Sequence, residues 1–131
     1  MAQVLVDTSA VYALIDKSDG YHRRALTILG SLPRRGLTPF LTNFIVAECH
    51  ALLLSRLGAN TARGWLLEQI WPVERVNPHD EESAREIIRS YTDKTFSYTD
   101  ATSFAVMERL GIGEAFGFDS HFQQYGLKLI V

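Results

Sequence analysis

Cysteine is nearly absent from this sequence. Cys49 stands alone among 131 residues, so no disulfide can form within the chain. That fits a reducing compartment. No apolar run approaches the length of a membrane span, and no basic stretch followed by an apolar one opens the chain. A soluble cytoplasmic protein is expected. Charge of one sign is lacking too. The net charge of −2 does not by itself announce a nucleic-acid binder. The four histidines, His22, His50, His79 and His121, show no pairwise zinc spacing. Repeats, low-complexity tracts and linkers are missing. What remains is an ordinary globular balance, with 47% apolar and 21% charged residues, enough for one domain over residues 1–131.

The informative stretch is VLVDTSAVYALI, Val4 to Ile15. Val4, Leu5 and Val6 read as a strand buried on both faces. The run stops at Asp7, and Ala10, Val11, Ala13, Leu14 and Ile15 suit a helix. One carboxylate therefore stands where a strand hands over to a helix. Such strand ends are where ligands bind in open α/β sheets. Asp7 is equally suited to cap that helix.

Beyond it, strands and helices alternate. A helix over Tyr21–Leu32 is followed by a basic turn at 33–36. A strand follows over Leu37–Leu41, with Pro39 marking a start or bulge. The next helix is capped by Thr42 or Asn43, ends at Gly58 and is apolar nearly all round, so burial on most faces is expected. Further helices cover Ala59–Ile70, Asn77–Thr92 and Ser97–Leu110. Three more strands fall at Val73–Val76, Glu114–Phe118 and Leu127–Val131. This order predicts a three-layer α/β/α fold around a mainly parallel sheet of four to five short strands.

Glu48 is the acid that capping cannot explain. It lies mid-helix, on a face with Phe44 and Leu52. A buried carboxylate needs a cation. Arg56 could supply one, or a metal ion could. Asp100 lies in SYTDA, where Ser97 and Asp100 have capping-box spacing. Asp119 follows a strand in FGFDSHF and could be a turn residue or a cap. Asp7, Glu48, Asp100 and Asp119 nevertheless fall at one edge of the expected sheet. Four acids there would raise one another's pKa, and a hard divalent cation such as Mg²⁺ or Mn²⁺ removes the conflict. Setting these four aside turns the net charge from −2 to +2.

VLVDTSAVYALID, TNFIVAE, SYTDA and FGFDSHF, in that order, resemble the successive motifs of PIN-domain nucleases. The likeness runs from residue 4 to residue 131 and is greatest to compact VapC-type toxins and their stand-alone relatives. The resemblance implies a Mg²⁺- or Mn²⁺-dependent endoribonuclease. Asp7, Glu48, Asp100 and Asp119 would be its acidic constellation, with Thr8 or Ser9 as the accompanying hydroxyl and Thr99 as a further polar contact. Asp7 and Asp100 would hold the metal, with Glu48 or Asp119 orienting water or completing a second site. Arg23, Arg24, Arg34 and Arg35 are candidates for steering RNA phosphates. The resemblance also implies an antitoxin partner and a homodimer. Trp65, Trp71, Phe96 and Tyr98 supply aromatic surface for such contacts, or core. Three rivals stand against the toxin. One is a stand-alone RNA-processing nuclease. Another is a phosphotransfer domain, which Ser9, the internal position of Lys128 and mid-helix Glu48 disfavour. The third is a metal- or partner-binding module without catalysis.

Overall fold

The computed structural model describes residues 2–131. In chain order the elements are β1 (Ala2–Val6), α1 (Thr8–Ile15), α2 (His22–Ser31), β2 (Leu37–Thr42), α3 (Asn43–Leu57) and α4 (Ala59–Glu68). Then come β3 (Val73–Glu74), α5 (Pro78–Ser90), α6 (Tyr98–Leu110), β4 (Glu114–Phe116), α7 (His121–Tyr125) and β5 (Lys128–Leu129). The strands form one parallel sheet in the order β3-β2-β1-β4-β5. β1 takes the centre because Val4, Leu5 and Val6 can be buried on both faces, and all three are fully buried.

The chain steps outward from β1 to β2 to β3, then returns across the sheet to β4 and steps the other way to β5. Parallel crossovers are right-handed, so the helices of the two legs take opposite faces. α6 and α7 share one aromatic cluster, in which Phe104 meets Phe122, Tyr125 and, from the loop before α6, Phe96. The reversal lies between β1 and β4. Their carboxyl ends flank the crevice that such a topology leaves open.

Several expectations need adjustment. β3, β4 and β5 are shorter than the apolar runs suggest. β4 stops at Phe116 because the Phe118 N–H turns away to donate to Ser9 Oγ at 2.9 Å. Pro39 is neither a strand start nor a bulge. It pairs in register with Val4, on a stretch of β2 that β3 does not reach. α3 is not buried all round. Ile45, Cys49 and Leu53 form one buried stripe, while Leu54 is exposed. Phe96 is core, Trp65 and Trp71 pack partly buried against it, and Tyr98 is exposed. Among the described residues, no helix is long and apolar enough to cross a membrane.

Candidate active site

Each acid is placed by local chemistry that the sequence already carries. Asp7 is the N-cap of α1, and its Oδ2 accepts the Ser9 N–H at 3.2 Å and the Ser9 hydroxyl at 2.6 Å. Asp100 is the third residue of α6 in a capping box: its Oδ2 accepts the Ser97 N–H, and its own N–H donates to Ser97 Oγ, both at 3.0 Å. Asp119 Oδ1 accepts the His121 N–H at 2.9 Å. Glu48, on α3, accepts the Thr8 hydroxyl on Oε1 at 2.5 Å. The capping readings and the convergence therefore hold together. All four acids line one cleft of about 450 Å³ at the reversal between β1 and β4.

The residue that follows β4 must be a glycine. A Cβ on Gly117 would lie 2.9 Å from Asp7 Cβ and 3.2 Å from Ser9 Oγ. Only a residue without a side chain lets the chain after β4 pass so close to Asp7.

Charge at the site is uncompensated in a specific way. Asp7 is buried, and that burial pushes its carboxyl up to about 6. The Ser9 hydrogen bonds pull it down, and the charges of Asp100 and Asp119 push it up further. Each carboxylate has one oxygen held by the chain. Among the described residues no protein donor reaches the other: Asp7 Oδ1, Glu48 Oε2, Asp100 Oδ1 and Asp119 Oδ2.

Asp80 supplies an internal contrast. It too is a buried third residue of a capping box, on α5. Both its oxygens are taken, because Arg109 grips them at 2.9 and 3.2 Å. Burial alone would raise its pKa, yet the Arg109 contacts bring it below the usual carboxylate range. The cleft has no such arginine pairing. Arg56 lines it but lies over the Tyr12 ring, 5.2 Å from the centroid, and does not pair with Glu48. The ion-pair explanation of Glu48 therefore fails.

The nearest cation-capable group is His121. Its Nδ1 lies 2.8 Å from Asp100 Oδ2 and 3.3 Å from Asp119 Oδ1. Asp100, Asp119 and His121 each offer a ligand atom within 4.8 Å of the others. Two carboxylates and an imidazole, with Asp7 and Glu48 lining the same cleft, suit a divalent cation that accepts oxygen and nitrogen ligands. The donor set fits the metal that the acids imply.

Thr8 and Ser9 line the cleft with the acids, whereas Thr99 does not. Its carbonyl accepts the hydroxyls of Thr102 and Ser103 within α6. Arg23, Arg24, Arg34 and Arg35 lie outside the cleft as well. Arg23 and Arg24 open α2. Arg34 and Arg35 lead into β2 at Leu37, opposite the start of β1, and Arg35 donates to the Val131 carbonyl at 2.6 Å. Tyr12, Tyr21 and Phe118 also line the cleft and carry no signal in the sequence that singles them out, while His121 stands there only as a histidine without zinc spacing and Arg56 only as a partner for Glu48. The spacing of Glu48, Leu52 and Arg56 was the available signal, since it sets all three on one helical face.

The PIN domain family matches residues 4–128. The 23S rRNA-specific endonuclease VapC20 of Mycobacterium tuberculosis, in strains CDC 1551 / Oshkosh and H37Rv, is 35% identical over 126 residues, 94% of each chain. The crystal structure of that organism's VapC20, described as a sarcin-ricin loop cleaving toxin, superposes with a TM-score of 0.85. It has 32% identity and covers 95% of both chains. FitAcB from Neisseria gonorrhoeae shares the fold alone, with a TM-score of 0.70, 15% identity, and coverage of 98% of this chain and 96% of its own. The chain belongs to the PIN-domain family. Within that family it is a VapC-like toxin.

Proposed function

We propose that this protein is a Mg²⁺- or Mn²⁺-dependent endoribonuclease that hydrolyses RNA phosphodiester bonds in the cytoplasm. The carrying observation is the set of four carboxylates with one oxygen each left over, in a chain that elsewhere neutralises a buried acid with arginine. Asp7 Oδ1 and Asp100 Oδ1 would hold the ion, with Asp119 and Glu48 beside them. A bound ion of this kind lowers the pKa of water and neutralises charge on a phosphoryl oxygen. Ser9 and Ser97 fix the committed oxygens of Asp7 and Asp100 and so aim the remaining ones. Glu48, held by Thr8, would orient water or take its proton.

The VapC20 of M. tuberculosis acts, by its name, on 23S rRNA, so an exposed ribosomal RNA loop is the first substrate to try. Sequence-specific recognition of RNA usually targets such loops. The reading includes an antitoxin protein as the restraining partner and a homodimer. Exposed Leu66, Leu67 and Ile70 near the end of α4 offer apolar surface for protein contact.

The test is cleavage of loop RNA by the purified chain. Activity should require Mg²⁺ or Mn²⁺ and stop with EDTA. Asp7→Asn and Asp100→Asn should each lower the rate at least about a hundredfold, and together little more, since both disable one unit. Cleavage that survives both substitutions, or that continues in EDTA, overturns the reading.

A further inference from the structure

Two walls rise from the acidic floor of the cleft. One is aromatic. Tyr21 stacks on Phe118 with ring centroids 4.4 Å apart and planes 9° from parallel. Phe118 directly precedes Asp119, and its N–H is tied to Ser9 Oγ, so the stack is anchored to the acids. Phe118 backs one face of the Tyr21 ring, yet Tyr21 remains 48% exposed. Tyr21 stands at the N-cap of α2 but makes no capping hydrogen bond from its side chain. Ser, Thr, Asp or Asn is favoured there, so local structure gives no reason for an aromatic ring. The other wall is cationic. Arg56 has no ion pair among the described residues, and its guanidinium is held over Tyr12.

We propose that the Tyr21–Phe118 stack is a platform for one unpaired nucleobase beside the scissile phosphate, and that Arg56 holds a neighbouring phosphate. The proposal rests on the ribonuclease reading and names how that site grips its substrate. Every base has a π-face, so a base laid on Tyr21 extends a stack already formed, whatever its identity. The pair is preformed, so binding orders no additional side chain there. A base within a duplex has both faces covered and cannot use the platform. The cleft therefore prefers unpaired strands through shape and stacking rather than through base-edge hydrogen bonds.

The test uses the Asp7→Asn protein in Mg²⁺, so that binding is read without cleavage. The probe is a mixed-sequence RNA dodecamer carrying 2-aminopurine, single-stranded or annealed to its complement. The single strand should bind with quenched fluorescence, and the duplex should bind more weakly. Adding Tyr21→Ala should raise Kd roughly tenfold or more and abolish the quench, while Tyr21→Phe should retain both. Adding Arg56→Gln should reduce the salt slope of binding by about 0.7–1. Tyr21→Ala binding like its parent, duplex binding as tightly as single strand, or no binding of the single strand overturns the platform. Wild-type protein that binds and quenches but never cuts leaves the platform standing and overturns the nuclease reading. Wild-type protein that cuts while Tyr21→Ala changes nothing does the reverse.

Discussion

At the scale of single residues, Asp7 is where folding and function conflict. Its carboxyl is pushed from 3.8 to about 6 by burial and by the neighbouring acids. Between those values the folded chain binds more protons at Asp7 than the unfolded chain does. Stability therefore falls as pH rises through that window. At 1.36 kcal/mol per unit, a shift from 3.8 to about 6 amounts to about 3 kcal/mol at most. Urea melts of metal-free protein should show this decline from about pH 4 to pH 6, and Asp7→Asn should flatten it. A flat wild-type profile would mean that Asp7 is better solvated than its burial implies. The same residue shows what sequence can reveal. Asp7, Glu48, Asp100 and Asp119 were legible because each sits at a strand end, a helix start or an apolar helix face. Tyr21, Arg56 and His121 were not, because exposed aromatic and charged residues are ordinary until the fold gathers them around a cleft.

At the scale of elements, the two capping boxes carry the comparison. Asn77 with Asp80 opens α5, and Ser97 with Asp100 opens α6. Both are readable from spacing alone. What spacing cannot tell is which carboxylate meets an arginine, because Arg109 lies 29 residues beyond Asp80 in the chain. From the last turn of α6, Arg109 binds Asp80 on α5 and Glu74 on β3, tying three elements together. Arg109→Met should leave Asp80 buried and unpaired, costing about 3–5 kcal/mol. Asp80→Asn combined with Arg109→Met should recover much of that loss in denaturant melts. Equal losses in the single and double variants would assign Arg109's contribution to packing. The order of the elements was legible apart from α7, which stayed open between a turn and a capped helix after Asp119, since alternation and caps are local signals. Strand lengths and the burial of α3 were not. They depend on which neighbours each element meets, and α3, expected to be buried on most faces, presents Glu48 and Arg56 to the cleft.

At the scale of the whole molecule, topology sets the acids together before any ligand does. The sheet reverses between β1 and β4, and the residues after both strands reach the same crevice. The folded chain therefore holds repelling carboxylates that the unfolded chain keeps apart. A cation that binds only the folded state stabilises it by mass action, by about 2.7 kcal/mol at a hundred times its Kd. For a chain of this size that is roughly 5–10 °C in Tm. Melts in EDTA and then in excess Mn²⁺ should differ by about that amount at pH 7. The difference should shrink toward pH 5, where protonated Asp7 competes with the ion and relieves the same repulsion. Asp7→Asn should raise Tm in EDTA and reduce the gain from Mn²⁺, since one substitution removes both the repulsion and a ligand. An unchanged midpoint in millimolar Mn²⁺ at pH 7 would separate this cleft from metal binding and leave its four unpaired oxygens to water.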